Sequence, residues 1–278
     1  SVKFIVGTVV LICFCTALMM AGIFMMYVKT TLAPALDVRA EDYINNMSQS
    51  SIIYYQDQDS GEWKEYQTVH ATENRIWADF EDMPDALWQA AVAIEDERFF
   101  SHHGVDWMRT VKATLNMFTN NDTFGGSTIT QQLIKNNVFP NFINESKYQR
   151  IERKIQEQYL ALKIEKEMSK EEILEAYMNT INLGQGCLGV QTAAQRYFNK
   201  DAKDLTLSEC AVIAAITQSP SNLNPVSNPE NNAKRREKVL KNMKEQGVIT
   251  KAEYDEAMAD NVSVSYTHLR AHETLRHL

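Results

Sequence analysis

Three stretches of this 278-residue chain carry side chains that can move protons or meet anions. The first, Glu95-Asp96-Glu97-Arg98-Phe99-Phe100-Ser101-His102-His103-Gly104, crowds acids, aromatics and imidazoles directly behind an apolar stripe. The stripe places the Glu95 carboxylate at or near a buried face, and the stretch reads either as a proton-handling site or as a solvated helix end. The second, Gly125-Gly126-Ser127-Thr128-Ile129-Thr130-Gln131-Gln132, is a glycine pair feeding hydroxyl and amide side chains into a helix start. Such a start can offer backbone and side-chain donors to an anionic or sugar ligand, while the missing Gly-Lys-Ser/Thr excludes a nucleotide P-loop. The third groups Lys147, Arg150, Arg153, Lys154 and Glu157, with positions 147, 150, 154 and 157 on one helical face. This face is either a local basic patch or a solvated surface stitched by Arg153–Glu157 and Lys154–Glu157 pairs. A net charge of −8 argues against a nucleic-acid partner, so any anionic ligand has to be met by such a patch.

The elements that must position these residues read as mainly α. Leu87, Ala90, Ala91 and Ile94 recur at helical spacing up to Glu95, with Asp85 as the expected N-cap. Ser169 with Glu172, Thr206 with Glu209 and Thr250 with Glu253 each set a hydroxyl three residues before a glutamate, the pattern of a capping box. Before them, Ser51–Gln56 and Glu62–Val69 are β-rich runs around the turn-like 57–61, which predicts a hairpin. No alternation of strands and helices follows residue 80, which disfavours a doubly wound α/β fold.

Residues 4–28 hold no charge and are long enough to cross a bilayer as a helix, so 1–28 reads as an uncleaved membrane anchor. Residues 29–74 form a linker with the hairpin, 75–262 the catalytic domain and 263–278 a tail. Val264–Thr274 reads as one frame's translation of a transposase adapter used in short-read library preparation, so His268, His272 and His277 are expected to carry no function. The first residue is Ser1 rather than Met, so the natural start is expected to lie upstream. Cys187 and Cys210 are far apart and lack zinc-ligand spacing; they are expected to be small buried residues, with a disulfide as the alternative.

Taken in order, these stretches resemble the motifs of the peptidoglycan glycosyltransferase domain (glycosyltransferase family 51) of class A penicillin-binding proteins and monofunctional transglycosylases. Glu95–Gly104 fits Glu-Asp-x-x-Phe-x-x-His-x-Gly, and Gly125–Gln132 fits Gly-Gly-Ser-Thr-Ile-Thr-Gln-Gln without a substitution. Arg153–Ala161 fits Arg-Lys-x-x-Glu-x-x-x-Ala, Lys170–Asn179 fits Lys-x-x-Ile-Leu-Glu-x-Tyr-x-Asn, and Gly189–Phe198 resembles the motif that follows. One departure stands out: Gln149 occupies a position where the family usually has arginine, with Arg150 beside it.

The resemblance implies a lysozyme-like helical domain with a membrane-facing jaw, to which Met117 and Phe118 in the stretch 116–121 are candidates. It implies polymerisation of lipid II: the 4-hydroxyl of an acceptor attacks a donor sugar on a polyprenyl pyrophosphate, with inversion. Glu95 would be the base and Glu157 a second catalytic glutamate, orienting a cation or steadying the departing pyrophosphate. The implied substrate-binding set is Asp96, Phe99, His102, Gly125, Gly126, Ser127, Thr128, Gln131, Gln132, Lys135, Asn136, Arg150, Arg153, Lys154 and Asn179. Of these, His102 reads first as a structural hydrogen-bond partner of the loop after Glu95, as does Asp106 outside the set. The leaving pyrophosphate needs cations rather than a general acid, and Lys135, Arg153 and Lys154 are the candidates. No cofactor is required, although a pyrophosphate leaves room for a divalent cation. Partners would be lipid II, the growing glycan strand, membrane lipid and other cell-wall synthesis proteins, with the body outside the cell membrane on a single-pass anchor. The rival readings are a lysozyme-like hydrolase of the same polymer, which would spare lipid II, and a membrane-tethered wall-binding module, which would be indifferent to Glu95. No Ser-x-x-Lys tetrapeptide occurs, so this chain is not expected to react with β-lactams, while Pro220–Met243 looks more like the bifunctional class.

Overall fold

Hydrophobic spacing and capping chemistry account for most of the architecture. The computed structural model describes residues 2–32, 51–56, 63–69, 74–119, 125–139, 145–262 and 264. The turn 57–61 and nearly all of the tail lie outside them. The chain divides into Ser1–Tyr43 and Ile44–Leu278. In the first unit, helix α1 (Val2–Tyr27) is apolar around its whole circumference and ends in a π-helical turn, Val28–Leu32. Lys3–Thr31 is long and apolar enough to cross a membrane.

The second unit begins with the expected hairpin, β1 (Ser51–Gln56) antiparallel to β2 (Trp63–Val69), with an irregularity between Ile53 and Tyr54. A parallel pair not foreseen from the sequence joins β3 (Asn74–Arg75) to β4 (Cys187–Leu188). Two residues per strand are too few to show a period.

The helical body has two groups. Helix α2 (Asp85–Glu95) packs with α8 (Leu207–Ile216) and α9 (Pro229–Glu245), and α10 (Lys251–Ala259) lies against α9. Every residue of α8 after Leu207 is buried, so this helix is the axis of the group. The second group packs α4 (Ile129–Val138) against α5 (Lys147–Glu167) and α6 (Lys170–Thr180). Helix α3 (Trp107–Thr119) precedes this group, and α7 (Val190–Phe198) contacts both α6 and α8.

The three expected capping boxes are present at Ser169, Thr206 and Thr250, and two more occur at Thr128/Gln131 and Ser146/Gln149, where glutamine replaces glutamate. The expected cap of α2 is corrected: Pro84 is the N-cap, and Asp85, one position inside the helix, accepts from Trp88 Nε1 at 3.2 Å. Proline fixes the entry angle, so no side-chain cap is needed. Cys187 and Cys210 are free and buried, as small apolar residues would be, and burial pushes their thiols up to about 11 and about 12.

Gly104 closes the Glu95 motif at φ +83°, where a Cβ would stand 2.4 Å from the Ala161 carbonyl oxygen of α5. The turn therefore needs both a left-handed backbone and the absence of a side chain. Gly104→Ala is expected to destabilise the domain by about 2–3 kcal/mol in denaturant unfolding.

Candidate active site

Glu95 is the last residue of α2, where the two helical groups meet. Its carboxylate is half-buried and held from both sides. Thr217, just past α8, donates to Oε1 at 2.7 Å, and Gln132 Nε2 of α4 donates to Oε2 at 3.1 Å. Tyr177 of α6 donates to Gln132 Oε1 at 3.2 Å and so fixes which end of the amide faces Glu95. Burial, with the Glu95 charge adding, holds the Tyr177 phenol well above its usual range, so it remains a neutral donor. Arg235 of α9 brings Nη2 to 3.7 Å from Oε1. Arg109 of α3 ties the backbone on this side, donating to Glu95 O at 2.6 Å and to Gly125 O at 2.8 Å.

The rest of the first motif braces this carboxylate from below. Asp96 has 0% exposure; it accepts from Ile129 N at 3.0 Å and lies 3.0 Å from His102 Nε2, which joins the motif to the start of α4. Phe99 is fully buried, with His102 edge-on and Lys170 Nζ 4.3 Å from its ring centroid. Asp106 caps α3 by accepting from Arg109 N at 3.0 Å and also pairs with Arg98. His102 and Asp106 are thus both hydrogen-bonded to neighbouring residues of the protein.

The glycine-led segment differs from expectation. Its backbone does not present a free ring of donors: Ile129 N is taken by Asp96, Thr128 N by Gln131 Oε1 and Gln131 N by Thr128 Oγ1. Thr128 and Gln131 are buried in that capping box, and Gly126 lies so close to α3 that a Cβ would stand 2.8 Å from Ala113 Cβ. Asn179 is likewise enclosed; it bonds Ala78 N at 2.8 Å and Ala78 O at 2.7 Å. Asp96, Phe99, Thr128, Gln131 and Asn179 therefore shape the site from within rather than line its surface, because their polar atoms or faces are already occupied.

The cations come from α4 and α5. Arg153 and Glu157 are both buried and paired, and Arg153 Nε also meets Glu145 at 2.7 Å. Lys154 Nζ joins Glu157 Oε2 at 2.6 Å to Ser127 Oγ at 2.9 Å, reaching across to the glycine-led segment. Lys135 lies within electrostatic reach of Lys154, Glu157, Arg153 and Glu95; burial first, then the Lys154 charge, holds its ammonium below the usual lysine value of 10.5. Asn136 is half-buried next to it on α4. Arg150 is exposed, and Gln149, at the position of the family arginine, is used in the Ser146 capping box. Together with exposed Lys147, this leaves the early part of the basic face in solvent while Arg153, Lys154 and Glu157 turn inward.

Glu95 also lines a cavity of about 1080 Å³ together with Trp107, Met108, Arg109, Lys112, Arg235 and Lys238. Among the described residues no cluster of His, Cys, Asp or Glu is arranged to hold a metal ion.

A family model described as Transglycosylase matches residues 62–244, most of the chain and every motif above. The chain belongs to the transglycosylase family. Its relatives include the penicillin-binding protein 1A of Clostridium botulinum (strain Langeland), 42% identical over 249 residues, covering 86% of this chain and 28% of the relative. That of Clostridium acetobutylicum is 42% identical over 252 residues, covering 86% and 30%, and that of Streptococcus pneumoniae (strain R6) 41% over 187 residues, covering 67% and 26%. The chain thus spans under a third of the length of these proteins. The mainly α, lysozyme-like fold class expected from the sequence agrees with a transglycosylase domain, preceded by one apolar helix and a hairpin. Thr217, Arg235, Arg109 and Tyr177, which meet Glu95 or its partners, were not singled out from the sequence; a hydroxyl closing the apolar run 210–216 was the available signal for Thr217.

Proposed function

We propose that this chain polymerises lipid-linked disaccharide into glycan strands, with Glu95 as the base. The observation that carries the reading is that Glu95 lines a cavity of about 1080 Å³ beside α3 and α9 and lies within electrostatic reach of Lys135, which in turn feels Lys154 and Arg153. An acceptor sugar in the cavity can deliver its 4-hydroxyl proton to Glu95 while its oxygen attacks the anomeric carbon. The bond to the pyrophosphate breaks as the new one forms, and the pyrophosphate leaves with the electron pair. A single displacement of this kind inverts the anomeric centre, and fixed cations at the leaving oxygen do the work of an acid.

Glu157 serves this chemistry indirectly. With 0% exposure and both oxygens on cations, it aims Lys154 at Ser127 rather than touching substrate. The same enclosure removes Glu157 as the second working carboxylate that a glycosidase needs within roughly 5–9.5 Å of the first. Glu157 is neutralised by its two cations, and Asp96 is sealed against His102 and Ile129.

In this reading the apolar helix anchors the protein in the cell membrane as a single span, with the catalytic body outside. Exposed Trp107, Met108 and Val111 on α3 supply a membrane-facing jaw. The side chains of Met117 and Phe118 fall outside the described residues. Lipid II, the growing strand and membrane lipid are the partners, and nucleic acid is not among them.

Lys135 gives the reading a pH signature. A lysine held below 10.5 loses its charge earlier as pH rises, so polymerisation should fall on an alkaline limb below the ordinary lysine range. Lys135→Arg, which stays charged, should move that limb to higher pH.

The reaction itself is tested by offering the protein labelled lipid II and, separately, preformed glycan in detergent. Conversion of lipid II to glycan with the strand left intact supports transfer. Cleavage of the strand with lipid II untouched would replace it with hydrolysis.

A further inference from the structure

Resting on this reading, we infer that the Thr217 hydroxyl is a positioning group for Glu95 that changes hydrogen-bond partner as Glu95 gains and loses the acceptor's proton. Thr217 Oγ1 lies 2.7 Å from Glu95 Oε1 and 2.9 Å from the carbonyl oxygen of Ala214, one turn back in α8. A hydroxyl has one proton, so it can serve only one of these two acceptors at a time. With Glu95 ionised, the carboxylate is the stronger acceptor and takes it. Once Glu95 carries the proton, its new O–H can donate to a lone pair of Thr217 Oγ1, and the threonine proton turns to Ala214 O. The exchange needs rotation about one bond and no movement of the backbone.

The other groups on this carboxylate cannot do the same. Gln132 presents Nε2, a donor with no lone pair to offer, and Tyr177 holds the amide that way round. Arg235, 3.7 Å from Oε1, can only donate. Both favour the ionised state alone. Thr217 is therefore the side chain in contact with Glu95 that suits the base before and after proton transfer, so the proton need not be released before the glycosidic bond has formed.

The charged and titratable groups facing Glu95 are Arg235 from α9, Lys135 from α4, Tyr177 from α6 and Asp96 next in the chain, with the Arg109 guanidinium on the Glu95 backbone oxygen and Glu97, Arg98, Asp106, Lys112 and Lys238 on the wall of the cavity that Glu95 shares. None is altered by a change at position 217, so a difference between variants there reports the hydroxyl.

The test is lipid II polymerisation in detergent across pH by the parent, Thr217→Val and Thr217→Ser. Loss of one charge-assisted hydrogen bond should lower kcat of Thr217→Val about tenfold and move the acid limb of its pH profile upward by about one unit. KM for lipid II should change less than about threefold, since Thr217 does not bind substrate, and Thr217→Ser should keep the parental profile. If Thr217→Val does not fold, Thr217→Ala removes the same hydroxyl with less steric demand and should show the same loss. A parental profile in the variant lacking the hydroxyl overturns the inference, as does a serine variant displaced as far as valine. A parent that does not polymerise lipid II fails the functional reading instead, and the two failures are told apart by that control alone.

Discussion

Glu95→Gln is expected to lower lipid II turnover by about 10³-fold or more, with the fold unchanged. General-base catalysis contributes on the order of 10²–10⁴ to a rate. Asp96 is spent on His102 and Ile129, and Glu157 on Arg153 and Lys154. The substitution is close to isosteric, and Thr217 can still donate to the amide oxygen, so helix content and melting temperature should match the parent. Lipid II binding should also survive, because the cations of α4 and α5 are untouched. The loss should appear in kcat. Equal loss in binding would mean that the carboxylate is structural.

Glu157→Ala should act through stability as much as rate. Glu157 has 0% exposure and carries Arg153 on one oxygen and Lys154 on the other, so its removal takes from a buried guanidinium one of the carboxylates that balance it, Glu145 being another. Breaking a buried ion pair from one side costs about 3–5 kcal/mol, because the surviving charge stays desolvated. In a domain of this size that is a fall of about 10 °C in Tm. Lys154 would also lose the anchor that directs it at Ser127. Polymerisation measured below the melting transition should therefore drop as well. Glu157→Gln keeps the volume and one acceptor and should be milder on both counts. An Ala variant with parental stability would contradict the buried-pair account.

Local chemistry made much of this structure legible in advance. The capping boxes at Ser169, Thr206 and Thr250 depend on two side chains three residues apart, and all are present. The hairpin strands were visible through their β-rich runs, and the anchor helix through length and lack of charge. Glu95 could be placed at the end of an apolar face because a single helix controls both. What escaped was set by distance along the chain. Thr217 and Arg235 reach Glu95 across 122 and 140 positions, a separation at which no periodicity links partners. Asp85 was misplaced by one residue because Pro84 fixes the helix entry without a side-chain bond. The glycine-led segment was misjudged for a related reason: its donors are real, but Asp96, from the preceding motif, and Gln131 already use them. Residue type alone cannot tell an offered donor from an occupied one.

The reaction and its base are tested together by incubating labelled lipid II in detergent with a chain covering residues 1–262 and, in parallel, with its Glu95→Gln variant. We expect glycan polymer from the parent and none from the variant, with matching circular dichroism. Polymer from the variant at the parental rate would contradict Glu95 as the base, and lipid II left intact by a folded parent would contradict the polymerase reading as a whole.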